Sequence, residues 1–297
     1  MRVVATGARA RREGVVIDYV LLNDGNRIPA IGFGVFMIPD GGPTYEAVLA
    51  ALKAGYRHID TAAAYMNEGD VGRAVRDSGI PRDQIWVTTK LWPQDYAAAD
   101  GPAGIERSLA NLGLDYVDLM LLHQPYGPVD EAWAALEDAK AAGKIRSIGV
   151  SNMNVNIWNK WVPGFRTLPA VNQVECNPLF QQRELRDVLD PLGVVLECWY
   201  PLGHGNAELL GNPVIVALAE KYDKNAGQII LRFETQEGMV ALPKSTNLER
   251  IVTNLDVFDF ELTDAEMDSL RALDTGHGTH DPEDPANEAR LLGFRIH

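Results

Sequence analysis

The chain has 297 residues, 46% of them hydrophobic and 23% charged, a globular composition that excludes wholesale disorder. At roughly 150 residues per domain the length allows two domains, but an α/β barrel commonly spends about 250 residues on one. Lys plus Arg number 27 against 41 Asp plus Glu, a formal charge of −14, and so acidic a chain repels nucleic acid and anionic membrane as main partners. Cys176 and Cys198 are too few for a disulfide scaffold or a four-thiolate zinc site, and the six histidines show no metal-ligand spacing. A cytoplasmic protein without a metal is expected, with buried free thiols and a monomer as the default state. No run approaches the ~20 apolar residues of a membrane span.

In chain order, residues 1–14 carry Arg2, Arg9, Arg11 and Arg12 without the apolar block of a secretory signal. They read as a loose N-terminal extension, and 15–297 as a single domain. Residues 19–26 contain Asp24-Gly25, a strong hairpin-turn pair, which predicts a β-hairpin plugging one end of a barrel. Eight short β-rich apolar runs follow, at 30–35, 58–62, 85–90, 117–123, 147–152, 170–175, 194–199 and 238–244. Between most of them lie amphipathic helical patterns, at 45–54, 102–112, 130–142, 183–189, 214–222 and 264–273. Strand alternating with helix means parallel pairing. Runs such as Val117-Asp118-Leu119-Met120-Leu121-Leu122 are apolar on nearly both faces, as strands between a core and a ring of helices should be. Eight repeats without a linker favour a closed (β/α)8 TIM barrel over an open doubly wound sheet. The tail after Asp274 has no clear periodicity and reads as a surface loop that folds across the barrel mouth.

The informative pattern is where each run breaks. Asp60-Thr61, Lys90, His123, Ser151-Asn152 and Lys244-Ser245 stand at or near carboxyl ends of predicted strands, and the sixth strand contains Asn172 and Gln173. Any one of these alone is commonly a cap or a solvated turn. Together they populate the rim where barrels of this architecture build active sites. Asp60 and Lys90 belong to adjacent strands, and Tyr65 follows Asp60 in the loop above them. A phenol ionises near pH 10, too high for efficient proton donation near neutrality, and a neighbouring ammonium lowers that value by favouring the phenolate. Asp60 keeps the lysine charged. His123 is placed to orient a carbonyl oxygen or share the transferred proton.

These residues sit inside longer signatures. Gly55-Tyr56-Arg57-His58-Ile59-Asp60-Thr61-Ala62-Ala63-Ala64-Tyr65, Thr88-Thr89-Lys90-Leu91-Trp92, Leu121-Leu122-His123-Gln124-Pro125, Gly149-Val150-Ser151-Asn152 and Leu242-Pro243-Lys244-Ser245-Thr246-Asn247 resemble those of the aldo-keto reductases, bacterial NADPH-dependent members included. The resemblance runs in order from about Tyr19 to the C-terminus. It implies a (β/α)8 barrel that reduces aldehydes or ketones with a nicotinamide cofactor, NADPH, and a tetrad of Asp60, Tyr65, Lys90 and His123 with Tyr65 as general acid. It further implies carboxamide contacts from Ser151, Asn152 and Gln173, a stacking ring at Trp199, and cofactor contacts from Gly34, Val35, Asp60, Ser245 and Asn254. Pro201-Leu202-Gly203 resembles the family loop over the pyrophosphate, which makes Leu202 and Gly203 further candidates. Tyr200 stands where the family commonly has serine, and Thr253 where many relatives have an acidic or amide residue.

The anion site has its own argument. Thr246 and Glu249 have capping-box spacing, which predicts a helix start with free N–H groups and a positive dipole end. Lys244 precedes it and Arg250 lies one turn in, a pairing suited to a 2′-phosphate and hence to NADPH over NADH. Phe36 and Trp92 are expected to wall an apolar pocket for a small-molecule carbonyl substrate, with Tyr65 and His123 as its polar floor. Gly32-Phe33-Gly34 lacks the third glycine and the helix of a dinucleotide fingerprint. Two other functions fit less well: a cofactor-sensing or structural barrel has no need of the tetrad, and a hydrolase or aldolase using Lys90 as a Schiff base is disfavoured by the Asp60 charge.

Overall fold

A computed structural model describes residues 10–12 and 15–297. Its centre is an eight-stranded parallel sheet: Phe33–Gly34, His58–Asp60, Trp86–Leu91, Val117–Leu122, Ile145–Ser151, Val171–Glu175, Val195–Trp199 and Val240–Ala241, each hydrogen-bonded to the next in chain order. The ends meet through a parallel bridge between Ile31 and Ala241, so the sheet closes into a barrel. Six of the predicted helices form close to their expected bounds, as Pro43–Ala54, Gly101–Leu112, Val129–Ala141, Arg183–Leu189, Pro213–Tyr222 and Asp264–Arg271. Every residue of Trp86–Leu91 and Val117–Leu122 is buried, which is why those runs are apolar in sequence without alternation.

The first and last barrel strands are shorter than their apolar runs. The first is interrupted at Gly32, where a Cβ would lie 2.5 Å from the His58 ring, and Pro243 has no N–H with which to extend the last. Helices Glu68–Asp77, Val155–Trp161 and Ala226–Gln236 were not predicted. Glu68–Asp77 contains Gly69 and Gly72, which weaken a helical pattern in sequence. Gly72 is there because the helix Gly101–Leu112 crosses so close that a Cβ would meet the Leu112 carbonyl oxygen at 1.7 Å.

The expected hairpin pairs Tyr19–Leu21 with Arg27–Pro29 around Asp24 and Gly25. Leu22 and Ile28 pack with Trp86, Leu119, Leu121, Val171, Val195 and Val240, residues from five barrel strands, and so close the end opposite the strand carboxyl termini. Most of the expected extension 1–14 lies outside the described residues, but Ala10–Arg12 forms a strand paired antiparallel with Val15–Ile17. The tail reaches the opposite mouth, as expected, and carries an unexpected helix, Pro285–Leu292. Cys176 and Cys198 are free and buried. No helix among the described residues is long and apolar enough to cross a membrane.

Ile28 is fully buried. Ile28→Ala is expected to cost about 2–5 kcal/mol in urea unfolding with little change in cavity chemistry, since the plug lies at the far end. An unchanged unfolding midpoint would show that the hairpin does not seal the barrel.

Candidate active site

Lys90, fully buried on the third barrel strand, donates from Nζ to Asp60 Oδ1 at 2.7 Å and to the Thr61 carbonyl at 2.9 Å, and lies 3.3 Å from the Tyr65 oxygen. An ammonium has three hydrogens and no acceptor, so these three oxygens engage it completely. Tyr65 Oη therefore accepts from Lys90, and its own hydrogen has to point elsewhere, toward the cavity that Tyr65 lines. The turn Ala63–Tyr65 carries the phenol four residues beyond Thr61, which is how one strand end supplies both the lysine's counter-charge and its phenolic neighbour.

Burial raises the Tyr65 hydroxyl above its usual pKa, and the Lys90 charge opposes that without cancelling it. The lysine lowers the phenol's pKa, as expected, but burial raises it by more. A low-dielectric site penalises the phenolate, and the ammonium offsets only part of the penalty. Burial alone would lower Lys90, but Asp60 and Tyr65 hold it above the usual amine value. It stays an ammonium. His123 sits edge-on to Tyr65 at 5.5 Å and to Trp92 at 5.1 Å between ring centroids. Burial and the Lys90 charge keep it well below the ordinary imidazole pKa, so it is a neutral ring.

A cavity of about 1220 Å³ opens over these groups at the carboxyl ends of the strands. Gly34, Phe36, Asp60, Tyr65, Trp92, His123, Ser151, Asn152, Gln173, Trp199, Leu202, Lys244, Ser245, Arg250 and Asn254 all line it. Three predicted residues do not. Lys90 is sealed beneath Tyr65, Val35 is fully buried with its carbonyl bonded to Asn67, and Gly203 is buried in a turn of positive φ. Along one side, Ser151 Oγ donates to the Gln173 carbonyl at 2.8 Å, and Asn152 Nδ2 donates to the His123 carbonyl at 3.1 Å. Asn152 Oδ1 accepts from Trp199 Nε1 at 2.9 Å, which ties the indole to the rim. Asn152, Tyr200 and His204 line the cavity with φ of 59°, 67° and 50°, a region that side chains seldom adopt and that concentrates at functional sites.

On the apolar side, the half-exposed Phe36 ring lies 5.1 Å from that of Tyr65. Trp92 Nε1 donates to the Phe294 carbonyl at 2.8 Å, and the two rings meet edge-on, so the tail completes this wall. At the far end the predicted capping box is absent. The helix is Leu248–Leu255, with Asn247 as its N-cap accepting from the Arg250 N–H at 3.0 Å. Asn is the better cap at that position, and it shifts the start by one residue. Lys244 and Arg250 still flank the helix start at the cavity edge, and neither is in an ion pair among the described residues.

Some residues at the site were not anticipated. Glu197 is buried in the seventh strand beneath Gln173, and the signal for it was a carboxylate between Leu196 and Cys198 in an apolar run. His280, Leu291 and Phe294 line the cavity from the tail. Asp284-Pro285, an N-cap followed by proline, was the missed sign of the tail helix.

The profile of the Aldo/keto reductase family matches residues 30–275. The chain belongs to the aldo/keto reductase family. A Mycolicibacterium smegmatis aldo-keto reductase is 46% identical over 263 residues, covering 86% of this chain and 94% of that protein. Glyoxal reductase of Bacillus subtilis is 44% identical over 257 residues, covering 86% and 92%. Among solved structures, MGS-M4, an aldo-keto reductase from a Medee basin deep-sea metagenome library, superimposes with a TM-score of 0.86 at 42% identity, covering 88% of this chain and 97% of that one. Membership of this family makes the protein an oxidoreductase of carbonyl compounds on a TIM barrel.

The neutral histidines have a consequence for stability. Burial lowers His58 to about 3 and His123 well below 6.5. As both folded values lie below the unfolded one, the unfolded chain binds the extra protons, and stability falls as pH drops below about 6.5. Each histidine contributes about 1.4 kcal/mol per pH unit in that window. Urea unfolding at about pH 7 and about pH 5.5 should show the loss. Equal stability at both would mean these rings are already charged in the fold.

Proposed function

We propose that the protein reduces an aldehyde or ketone to its alcohol with NADPH, Tyr65 donating the proton. The observation that carries this reading is the three-way engagement of Lys90, which leaves the Tyr65 hydrogen as the acidic proton available to the cavity. When bound, NADPH supplies the hydride. A substrate carbonyl oxygen seated against Tyr65 Oη and His123 accepts hydrogen bonds from both, and the neutral imidazole polarises it without competing as a proton source. As the proton leaves Tyr65, the phenolate that forms is already 3.3 Å from an ammonium. Lys90 thus stabilises charge that exists only late in the reaction. Asp60 and the Thr61 carbonyl hold the ammonium from behind, so no reorganisation is needed at that moment.

The residues around the cavity fit the cofactor in kind. Ser151, Asn152 and Gln173 line it beside Trp199 and carry hydroxyl and amide groups of the type that pairs with a carboxamide. Lys244, Ser245 and Arg250 surround a helix start suited to the 2′-phosphate. Phe36, Trp92 and Phe294 make an apolar wall next to Tyr65, which suits a small carbonyl substrate with an apolar flank. All of these groups come from one chain, and a monomer working in the cytoplasm is part of the same proposal. A Schiff-base function for Lys90 is disfavoured, because an ammonium with all three hydrogens engaged offers no lone pair to a substrate.

Tyr65→Phe is expected to lower kcat for aldehyde reduction by about 10²–10⁴-fold while NADPH still quenches tryptophan fluorescence. Turnover close to wild type would refute the assignment. Lys244→Ala and Arg250→Ala should each raise KM for NADPH by roughly tenfold or more, the worth of a charge-assisted hydrogen bond, and leave KM for NADH unchanged. Equal effects on both cofactors would move the 2′-phosphate elsewhere.

A further inference from the structure

Beneath the cavity, residues in register on neighbouring strands build a polar layer that the proton transfer does not use. Gln173 faces Glu197 across the sixth and seventh strands, and Ser151 faces Gln173 across the fifth and sixth. Gln173 Nε2 lies 2.9 Å from Asp60 Oδ2 and 2.6 Å from Glu197 Oε2. All three residues are buried, Glu197 completely. An amide NH2 carries two hydrogens, and here two carboxyl groups from different strands take one each. No donor among the described residues reaches Gln173 Oε1, and Gln173 lines the cavity.

We propose that Glu197 is a positioning residue for the nicotinamide, acting through Gln173. Asp60, ion-paired to Lys90, decides which end of the Gln173 amide faces the barrel interior, because a carbonyl oxygen there would oppose a carboxylate. Glu197 takes the second hydrogen and fixes the plane of the amide. Oε1 is then held toward the cavity as a directed acceptor for the N–H of a cofactor carboxamide. The inference rests on the cofactor reading above.

The groups facing Glu197 are His58 and Asp60 on the second strand, Lys90 on the third and Gln173 on the sixth. His58 Nε2 is 3.7 Å from Glu197 Oε1 and bonds Thr88 Oγ1 at 3.0 Å. Burial and the Asp60 charge push Glu197 above the ordinary carboxylate range, and its Oε2 accepts from Gln173 without needing a negative charge. An uncharged amide at this position therefore suffices, whereas an aliphatic side chain does not.

The test combines a ligand change with a protein change, read by quenching of tryptophan fluorescence with no need for turnover. NADPH is compared with its 3-acetylpyridine analogue, in which a methyl replaces the amide nitrogen. Wild type and Glu197→Gln are expected to bind the analogue about fivefold more weakly than NADPH, the worth of one neutral hydrogen bond. Glu197→Leu is expected to bind the two alike, with Glu197→Ala as a second acceptor-free variant that fits where a branched chain does not. Undiminished discrimination in the aliphatic variants overturns the proposal, as does its loss in Glu197→Gln or its absence in wild type. In each case retained NADPH binding leaves the cofactor reading standing. Failure of wild type to bind NADPH overturns both.

Discussion

A single buried ammonium organises this molecule. Lys90 has no exposed surface, and removing a charge from water costs several kcal/mol even after relaxation. The fold meets that cost by surrounding the amine with a carboxylate, a backbone carbonyl and a phenol. None of these partners adds much net stability, because a buried ion pair rarely exceeds its own desolvation. What the arrangement supplies is a fixed positive charge whose third hydrogen ends on Tyr65. Burial pushes the phenol toward its protonated form and the lysine limits that push, which is what the proposed role as proton donor requires.

Parallel strands make such a cluster possible at little structural expense. Asp60 and Lys90 come from neighbouring strands, and the chain after Asp60 turns back within five residues to present Tyr65. Gln173 links the same Asp60 to Glu197 from the other side of the barrel. The polar groups of four strands thus converge inside one wall of apolar side chains. The hairpin closes one end with Leu22 and Ile28, and the tail narrows the other through Trp92 and Phe294. The cavity lies between the two, lined by polar groups whose directions the fold fixes in advance.

Much of this was legible in the sequence, for identifiable reasons. Eight apolar runs with parallel-sheet character gave the barrel, and Asp24-Gly25 marked the hairpin, because burial on two faces and a tight turn each leave a local signature. Asp60, Lys90 and His123 stood out because a charged or polar group ending an apolar strand breaks a pattern, and Tyr65 because it follows Asp60 in the loop above them. Glu68–Asp77 was missed because its glycine answers to a neighbouring helix, and Leu248–Leu255 was entered one residue early because Asn247 outcompetes Thr246 as the cap. The net direction of the Tyr65 pKa was also out of reach. It depends on how deeply the ring is buried, which no spacing encodes.

The central claim is that Lys90 stabilises the Tyr65 phenolate from 3.3 Å away. The direct measurement is an ultraviolet difference titration of tyrosinate, wild type against Tyr65→Phe, repeated in a Lys90→Met background. The Tyr65 transition is expected to move to higher pH once the ammonium is gone. A transition at the same pH with and without Lys90 would contradict it.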